Sequence, residues 1–77
     1  MKKPNAPFGK IIANLRQAAE LSQEELAERA KIHRTYVSQI ERGLKSPTLV
    51  MLFRLAHALN TTPSKIVRQV ESDIGLS

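Results

Sequence analysis

The chain has no cysteine, and only three of its 77 residues are aromatic. Without cysteine it can form neither a disulfide nor a zinc knuckle or finger. No apolar run approaches the roughly 20 residues that a membrane-spanning helix needs, and the N-terminal stretch lacks the apolar region of a signal peptide. We therefore expect a cytoplasmic protein that does not contact a membrane.

Features of an enzyme are also scarce. The three glycines are isolated, so there is no glycine-rich phosphate loop, and His33 and His57 do not have the spacing of metal ligands. A chain of this length forms one domain with a small core and has no room for a deep cavity or a separate sensing domain. We expect no catalytic residue, no metal, no cofactor and no small-molecule ligand.

Positive charge is unevenly distributed along the chain, whose formal net charge is +5. Residues 31–70 hold seven basic side chains and one acid, Glu41, whereas four of the seven acids lie in residues 20–28. This clustering favours a polyanion partner, because neutralised phosphates release condensed counterions, although a solvated cationic surface would give the same counts. A carboxylate facing phosphate would be repelled, so we expect Glu41 to pair with an arginine such as Arg16 or Arg54.

Hydrophobic periodicity predicts five short helices, and no sustained alternation indicates a strand. The expected helices span residues 8–20, 23–30, 34–42, 49–59 and 63–71. We expect residues 1–7 to form a flexible basic arm, residues 8–71 one helical domain and residues 72–77 a short tail. The predicted fold class is therefore all-α.

Local signals set the expected helix ends. Ser22 and Glu25 match a capping box, in which each side chain accepts a hydrogen bond from the other residue's backbone N–H. The turn Lys31-Ile32-His33 separates the second and third helices, and Gly43 is suited to the left-handed conformation that ends the third. Thr48 is the expected N-cap of the fourth helix.

The apolar residues predict a core and a contact between subunits. The expected stripe of the fourth helix is Leu49, Leu52, Phe53, Ala56 and Leu59. The expected core is Ile12, Leu15, Leu26, Ala27, Val37, Ile40, Leu52, Leu55, Ala56, Leu59 and Ile66. On the fifth helix, Val67, Val70 and Ile74 continue the apolar face with nothing obvious to cover them. We therefore expect a homodimer with a two-fold contact there.

The run LSQEELAERAKIHRTYVSQIERG, followed by SPTLVMLFRLAHAL, resembles the lambda-repressor and Cro type of helix-turn-helix regulators, the xenobiotic-response-element-like family. The resemblance covers roughly residues 8–70. It depends on the capping box, the Val37 and Ile40 pair, the exit at Gly43, and Pro47 before a leucine-rich helix. It implies a compact five-helix DNA-binding domain whose second and third helices form the helix-turn-helix.

Two positions depart from that family's pattern. The family often has glycine where Lys31 stands, so we expect a strained or differently shaped turn, because a non-glycine residue in the left-handed conformation costs about 1 kcal/mol or more. The family usually has serine or threonine where His33 stands as N-cap of the third helix, and histidine is a poorer cap.

The resemblance implies DNA contacts for named residues. The expected base contacts, from the third helix, are Arg34, Thr35, Ser38 and Gln39. Arginine can pair with guanine, glutamine with adenine, and a threonine methyl with a thymine methyl. The expected contacts to the DNA backbone are Gln23, Tyr36, Arg42, Lys45 and Ser46. For Arg34 a phosphate contact or a solvated surface position is the alternative, and for Tyr36 partial burial against the fourth helix.

We therefore predict a sequence-specific regulator of transcription, of the repressor or controller type, that binds double-stranded DNA with its third helix in the major groove. As a homodimer it would recognise an inverted repeat with half-site centres about 34 Å apart, or a multiple of a helical turn. Lys2 and Lys3 in the arm could also reach a groove. The alternative is an antitoxin-like or other protein-interaction module with the same fold, for which a toxin or a polymerase would be the partner.

Overall fold

The computed structural model describes residues 3–75. Within them the chain is all-α, as predicted. Its five helices are α1 (Asn5–Ala18), α2 (Gln23–Ala30), α3 (Arg34–Glu41), α4 (Leu49–Ala58) and α5 (Pro63–Asp73). None of these helices is long and apolar enough to cross a membrane. Lys2, one of the two lysines of the predicted arm, lies outside the described residues.

The first helix begins earlier than its hydrophobic pattern indicates. It starts at Asn5 rather than Phe8, inside the stretch predicted as an arm, and it ends at Ala18 rather than Glu20. Pro7 is compatible with this start, because the first four N–H groups of a helix have no partner within it and a missing one costs nothing. The helix ends early because Glu20 takes a left-handed conformation with φ 59°. α5 extends to Asp73, two residues beyond the predicted end.

Side-chain caps begin four of the five helices. The predicted capping box is present: the Glu25 N–H donates to Ser22 Oγ (3.0 Å), and the Ser22 N–H donates to Glu25 Oε1 (2.9 Å). Thr48 Oγ1 accepts from the Met51 N–H (3.1 Å) and Thr62 Oγ1 from the Lys65 N–H, as threonine N-caps do. These local bonds explain why the sequence predicted the starts of α2, α4 and α5.

The five helices enclose a single core formed mainly by Ile12, Leu26, Val37, Ile40, Leu55 and Ile66, each less than 2% exposed. The other predicted members Leu15, Leu52 and Leu59 are partly buried against it. The predicted core omits six buried residues: Phe8, Ile11, Leu21, Ala30, Ala58 and Val70. Of these, Ala30 was expected on the inner face of the second helix. Phe8 was missed because the helix start was placed too late for it to face inward.

The predicted stripe of α4 is wrong at two positions. Leu49 is 71% exposed and Phe53 is 55% exposed, and Val50 beside them is 59% exposed. The buried side of α4 is instead formed by Leu55, Ala56 and Ala58, with Leu52 and Leu59 at its edge. Residues 49–53 are all apolar, so periodicity could not decide which of them face α2 and α5.

The uncovered stripe predicted on α5 is also largely wrong. Val70 is 7% exposed and belongs to the core, and Ile74 packs against that core. Val67 alone of the three is exposed, at 40%. The first helix covers the others, because α1 packs against α5 as well as against α3.

Candidate nucleic-acid interface

The two sides of α3 differ sharply in burial. Val37 and Ile40 are fully buried, and they fix the helix against α1 and α2. Arg34 and Thr35, in its first turn, are exposed, whereas Ser38 and Gln39 are half-buried. These last four residues are the predicted base contacts. The polar side of α3 is therefore most accessible at its N-terminal end.

Four polar residues of α2 and α3 line one open cleft: Gln23, Arg34, Thr35 and Ser38. The cleft thus brings three predicted base contacts next to Gln23, a predicted phosphate contact at the N-terminus of α2. The N-terminus of a helix attracts anions through its unpaired N–H groups and its dipole. The cleft is therefore suited to an anionic, hydrogen-bonding ligand.

The turn between α2 and α3 has the conformation that the family's glycine would take. Lys31 adopts the left-handed region, with φ 59° and ψ 45°. Its carbonyl oxygen accepts a hydrogen bond from Arg54 Nη1 (3.3 Å), which ties the turn to α4. His33 does cap α3, because its Nδ1 accepts from the Thr35 N–H (3.2 Å). Of the two expected outcomes, the strained turn is therefore the one observed: Lys31 takes the left-handed conformation, and the turn keeps its shape.

Glu41, at the end of α3, is the centre of a network of hydrogen bonds. Its Oε2 accepts from Arg16 Nε (2.7 Å), and its Oε1 accepts from Arg16 Nη2 and from Gln23 Nε2, both at 3.0 Å. Arg16 Nη1 also donates to the Leu21 carbonyl oxygen (2.8 Å). The expected ion pair of Glu41 is confirmed, with Arg16 and not Arg54 as its partner.

Two ionisable groups near the motif have displaced pKa values. The hydrogen bond to Glu41 raises the pKa of Arg16, helped by the charge of Glu41 and opposed by burial. The pKa of Glu25 is lowered, mainly because its carboxylate accepts a hydrogen bond from the Ser22 backbone N–H, with a smaller contribution from the Ser22 side chain. Both groups are thereby held in their charged forms.

The predicted contacts to the DNA backbone occupy different settings. Arg42, Lys45 and Ser46 are exposed after α3, and Arg42 Nε donates to the Ser38 carbonyl oxygen. Tyr36 is half-buried and packs against the core, in line with the alternative considered for it. Ser46 also lines a largely apolar groove with Pro47, Phe8 and Val67, which shares no lining residue with the cleft.

Comparison with known proteins identifies the arrangement of α2 and α3. A family model described as "Helix-turn-helix" matches residues 12–66. The chain belongs to the helix-turn-helix family. This match confirms the resemblance found in the sequence, and it places α2 and α3 within the matched region. Proteins of this family are DNA-binding regulators.

Individual helix-turn-helix relatives include controller proteins. The chain is 43% identical to "Control protein C.SmaI" of Serratia marcescens over 56 residues, which are 73% of this chain and 67% of that protein. The restriction-modification controller protein C.AhdI of Aeromonas hydrophila has a similar structure, with a TM-score of 0.77 and 39% identity over 79% of this chain and 92% of that one. The controller C.Esp1396I, solved as a tetramer with its 35-base-pair operator, shares the fold (TM-score 0.83, 23% identity, 96% of this chain and 97% of that one).

Sequence reasoning missed two features of the molecular surface. One is the hydrogen bond between Gln23 and Glu41. In the sequence these are only a polar residue at the start of α2 and another at the end of α3, which does not indicate that they meet. The other is the exposed apolar face of α4, whose signal was the unbroken apolar run 49–53. Within residues 3–75 there is no cluster of potential metal ligands.

Proposed function

We propose that this protein regulates transcription by binding a specific sequence of double-stranded DNA, with α3 in the major groove. The observation that carries this function is the exposed polar side of α3, which the buried Val37 and Ile40 hold in a fixed orientation. A helix-turn-helix places its second helix in the groove with the N-terminal residues against base edges. Arg34 and Thr35 stand at that end.

Each side chain on that surface suits a particular partner. We assign Arg34 to guanine O6 and N7, Gln39 to adenine N6 and N7, and the Thr35 methyl to a thymine methyl, with Ser38 beside them. Gln23, Arg42, Lys45 and Ser46 would bind phosphate and fix the position of the helix, and Tyr36 could add its hydroxyl. The net positive charge supports this division, because phosphate contacts supply most of the non-specific affinity.

The exposed apolar residues support a homodimer, although on a different surface from the one expected. We define the α4 face as Leu49, Val50 and Phe53, which are 71%, 59% and 55% exposed. A group of large apolar side chains left in water on so small a domain marks an interaction site. The α4 face begins after the loop that carries Lys45 and Ser46, and we propose that two copies of the chain join there.

The relatives support a role of the controller type. C.SmaI is a control protein and C.AhdI a restriction-modification controller, and both are about 40% identical to this chain. We infer that this protein likewise acts on an operator, and that its activity depends on concentration and dimerisation. Its place of action would be the cytoplasm.

A titration of DNA tests this function without knowledge of the operator. A fluorescent duplex of mixed sequence is titrated with the protein in a series of salt concentrations, and anisotropy reports binding. We expect binding whose affinity falls steeply with salt, because each phosphate contact releases counterions. Absence of binding even at about 50 mM salt would contradict the function.

A further inference from the structure

Glu41 is the one acid between residues 31 and 70, and it lies close to the surface assigned to phosphate. Its side chain is only 6% exposed, and that of Arg16 is 14% exposed. Burial of a charged pair is costly unless the remaining hydrogen-bonding capacity is used. Here Arg16 uses three nitrogen atoms, on Glu41 and the Leu21 carbonyl oxygen. The pair is therefore rigidly held.

The third partner of the pair is Gln23, the first residue of α2. Its Nε2 donates to Glu41 Oε1 at 3.0 Å, across 18 residues of chain. In the described part of the chain this is the one hydrogen bond recorded for the Gln23 side chain, and an amide nitrogen carries two hydrogens. Gln23 also lines the open polar cleft beside Arg34. The second N–H is thus available to a ligand in that cleft.

We propose that Glu41 is a positioning residue for DNA binding: it holds the Gln23 amide in the orientation in which its second N–H donates to a phosphate oxygen. Glu41 itself touches no phosphate, because Arg16 neutralises it and encloses its carboxylate. Arg16 thereby fixes Glu41, and Glu41 fixes Gln23. This role rests on the proposed function, since Gln23 needs a phosphate to bind.

The geometry predicts an effect opposite in sign to that of charge alone. Removing a carboxylate near DNA should strengthen binding, because it removes repulsion. If Glu41 orients Gln23, however, removal of the Glu41 oxygen atoms frees the Gln23 side chain. That side chain must then be ordered when DNA binds, which weakens binding. Glu41→Gln and Glu41→Ala lose the same charge, but only Glu41→Gln keeps an oxygen able to accept from Gln23. Comparing these two variants separates orientation from charge.

The first measurement uses the free protein. Nuclear magnetic resonance of the Gln23 side-chain amide in ¹⁵N-labelled protein reports its hydrogen bond and its motion. We expect a rigid amide in the wild-type protein and in Glu41→Gln, and a mobile one in Glu41→Ala. A mobile amide in the wild-type protein would overturn the positioning role. Circular dichroism verifies that each variant is folded at the temperature used.

The second measurement is a double-mutant cycle on the affinity for the mixed-sequence duplex. We expect Glu41→Ala to bind up to about tenfold more weakly than Glu41→Gln, the upper end of the cost of ordering one flexible side chain on binding. In a Gln23→Ala background, the two Glu41 variants should bind equally, because no amide is left to orient. A purely structural role of Glu41 would give the same difference in both backgrounds, and it would overturn the proposal.

The two levels of failure can be distinguished. If the wild-type protein binds no duplex, the proposed function is wrong, and the role of Gln23 falls with it. If the wild-type protein binds DNA and the two Glu41 variants have equal affinities, the function stands and the positioning role is wrong.

Discussion

Arg34 and Lys45 are both exposed cations, but the fold gives them different surroundings. Arg34 stands in the first turn of α3, beside Thr35 in the polar cleft, whereas Lys45 lies in the loop between α3 and α4. A rigid guanidinium in a groove can distinguish bases, while a lysine on a loop acts as a point charge for phosphate. Substitution of Arg34 should therefore change sequence specificity, whereas substitution of Lys45 should change only affinity.

Arg34→Ala is expected to cost about 1–3 kcal/mol on the preferred site and to relax the preference at one base position. Lys45→Ala, the matched control, should weaken binding to all sequences alike and reduce the slope of log affinity against log salt by about one. Binding titrations on preferred and mixed-sequence duplexes measure both effects. Equal losses on both duplexes for Arg34→Ala would mean that Arg34 contacts phosphate.

The capping box of α2 makes a prediction about pH. Because the folded-state pKa of Glu25 is lowered, its carboxylate adds stability above the unfolded-state pKa of about 4.3 and loses it as the pH falls through the folded-state value. Glu25→Gln keeps a side-chain acceptor but cannot titrate. Between about pH 6 and pH 3, the melting temperature of the wild-type protein should therefore fall further than that of Glu25→Gln.

The control for this experiment is Glu24→Gln, which removes a neighbouring carboxylate and leaves the capping box intact. Thermal unfolding followed by circular dichroism gives the melting temperature at each pH. Parallel curves for the wild-type protein and Glu25→Gln would show that the cap does not depend on the charge of Glu25.

At the scale of helices, the sequence predicted which elements exist better than how they pack. α2 has the predicted bounds, because capping signals are local and depend on residues that are close in the chain. The close approach of α1 to α3 was not predicted. A Cβ on Gly9 would overlap the Ile40 carbonyl oxygen, so glycine is required there. A single glycine within a helix indicates a close contact but does not identify the partner.

The turn of the motif gives a prediction about stability. Lys31→Gly is expected to stabilise the fold by about 0.5–1 kcal/mol, because relief of the left-handed strain exceeds the entropic cost of glycine. Lys31→Ala removes the same charge but keeps the strain, and it should bring no such gain. Urea unfolding measures the free energy of unfolding of all three proteins. An equal gain for both variants would mean that charge, and not conformation, is responsible.

At the scale of the whole molecule, the all-α fold and the surface of α3 could be predicted, whereas the apolar surface could not. α3 has a single apolar side, formed by Val37 and Ile40, which must be buried. The orientation of the helix, and with it the exposure of Arg34, therefore follows from the sequence. α4 is apolar on several sides, and only the positions of α2 and α5 decide that Phe53 faces solvent. Burial of Val70 likewise depends on α1, which is distant in sequence.

Phe53→Glu tests the α4 face as the dimer contact. Because Phe53 is 55% exposed, the substitution should leave the fold intact, but it places a carboxylate at the centre of the proposed interface. We expect a monomer by sedimentation at micromolar concentration and weaker binding to DNA. Gln69→Glu, which adds the same charge at an exposed position of α5, should remain dimeric. A dimeric Phe53→Glu would place the contact elsewhere.

The central claim is that α3 reads a specific DNA sequence from a two-fold dimer. The most direct test is selection of bound sites from a random double-stranded library at about 0.15 M salt. We predict enrichment of an inverted repeat whose half-site centres lie about 34 Å apart, or a multiple of that distance. Retention of DNA without enrichment of any sequence would contradict this claim.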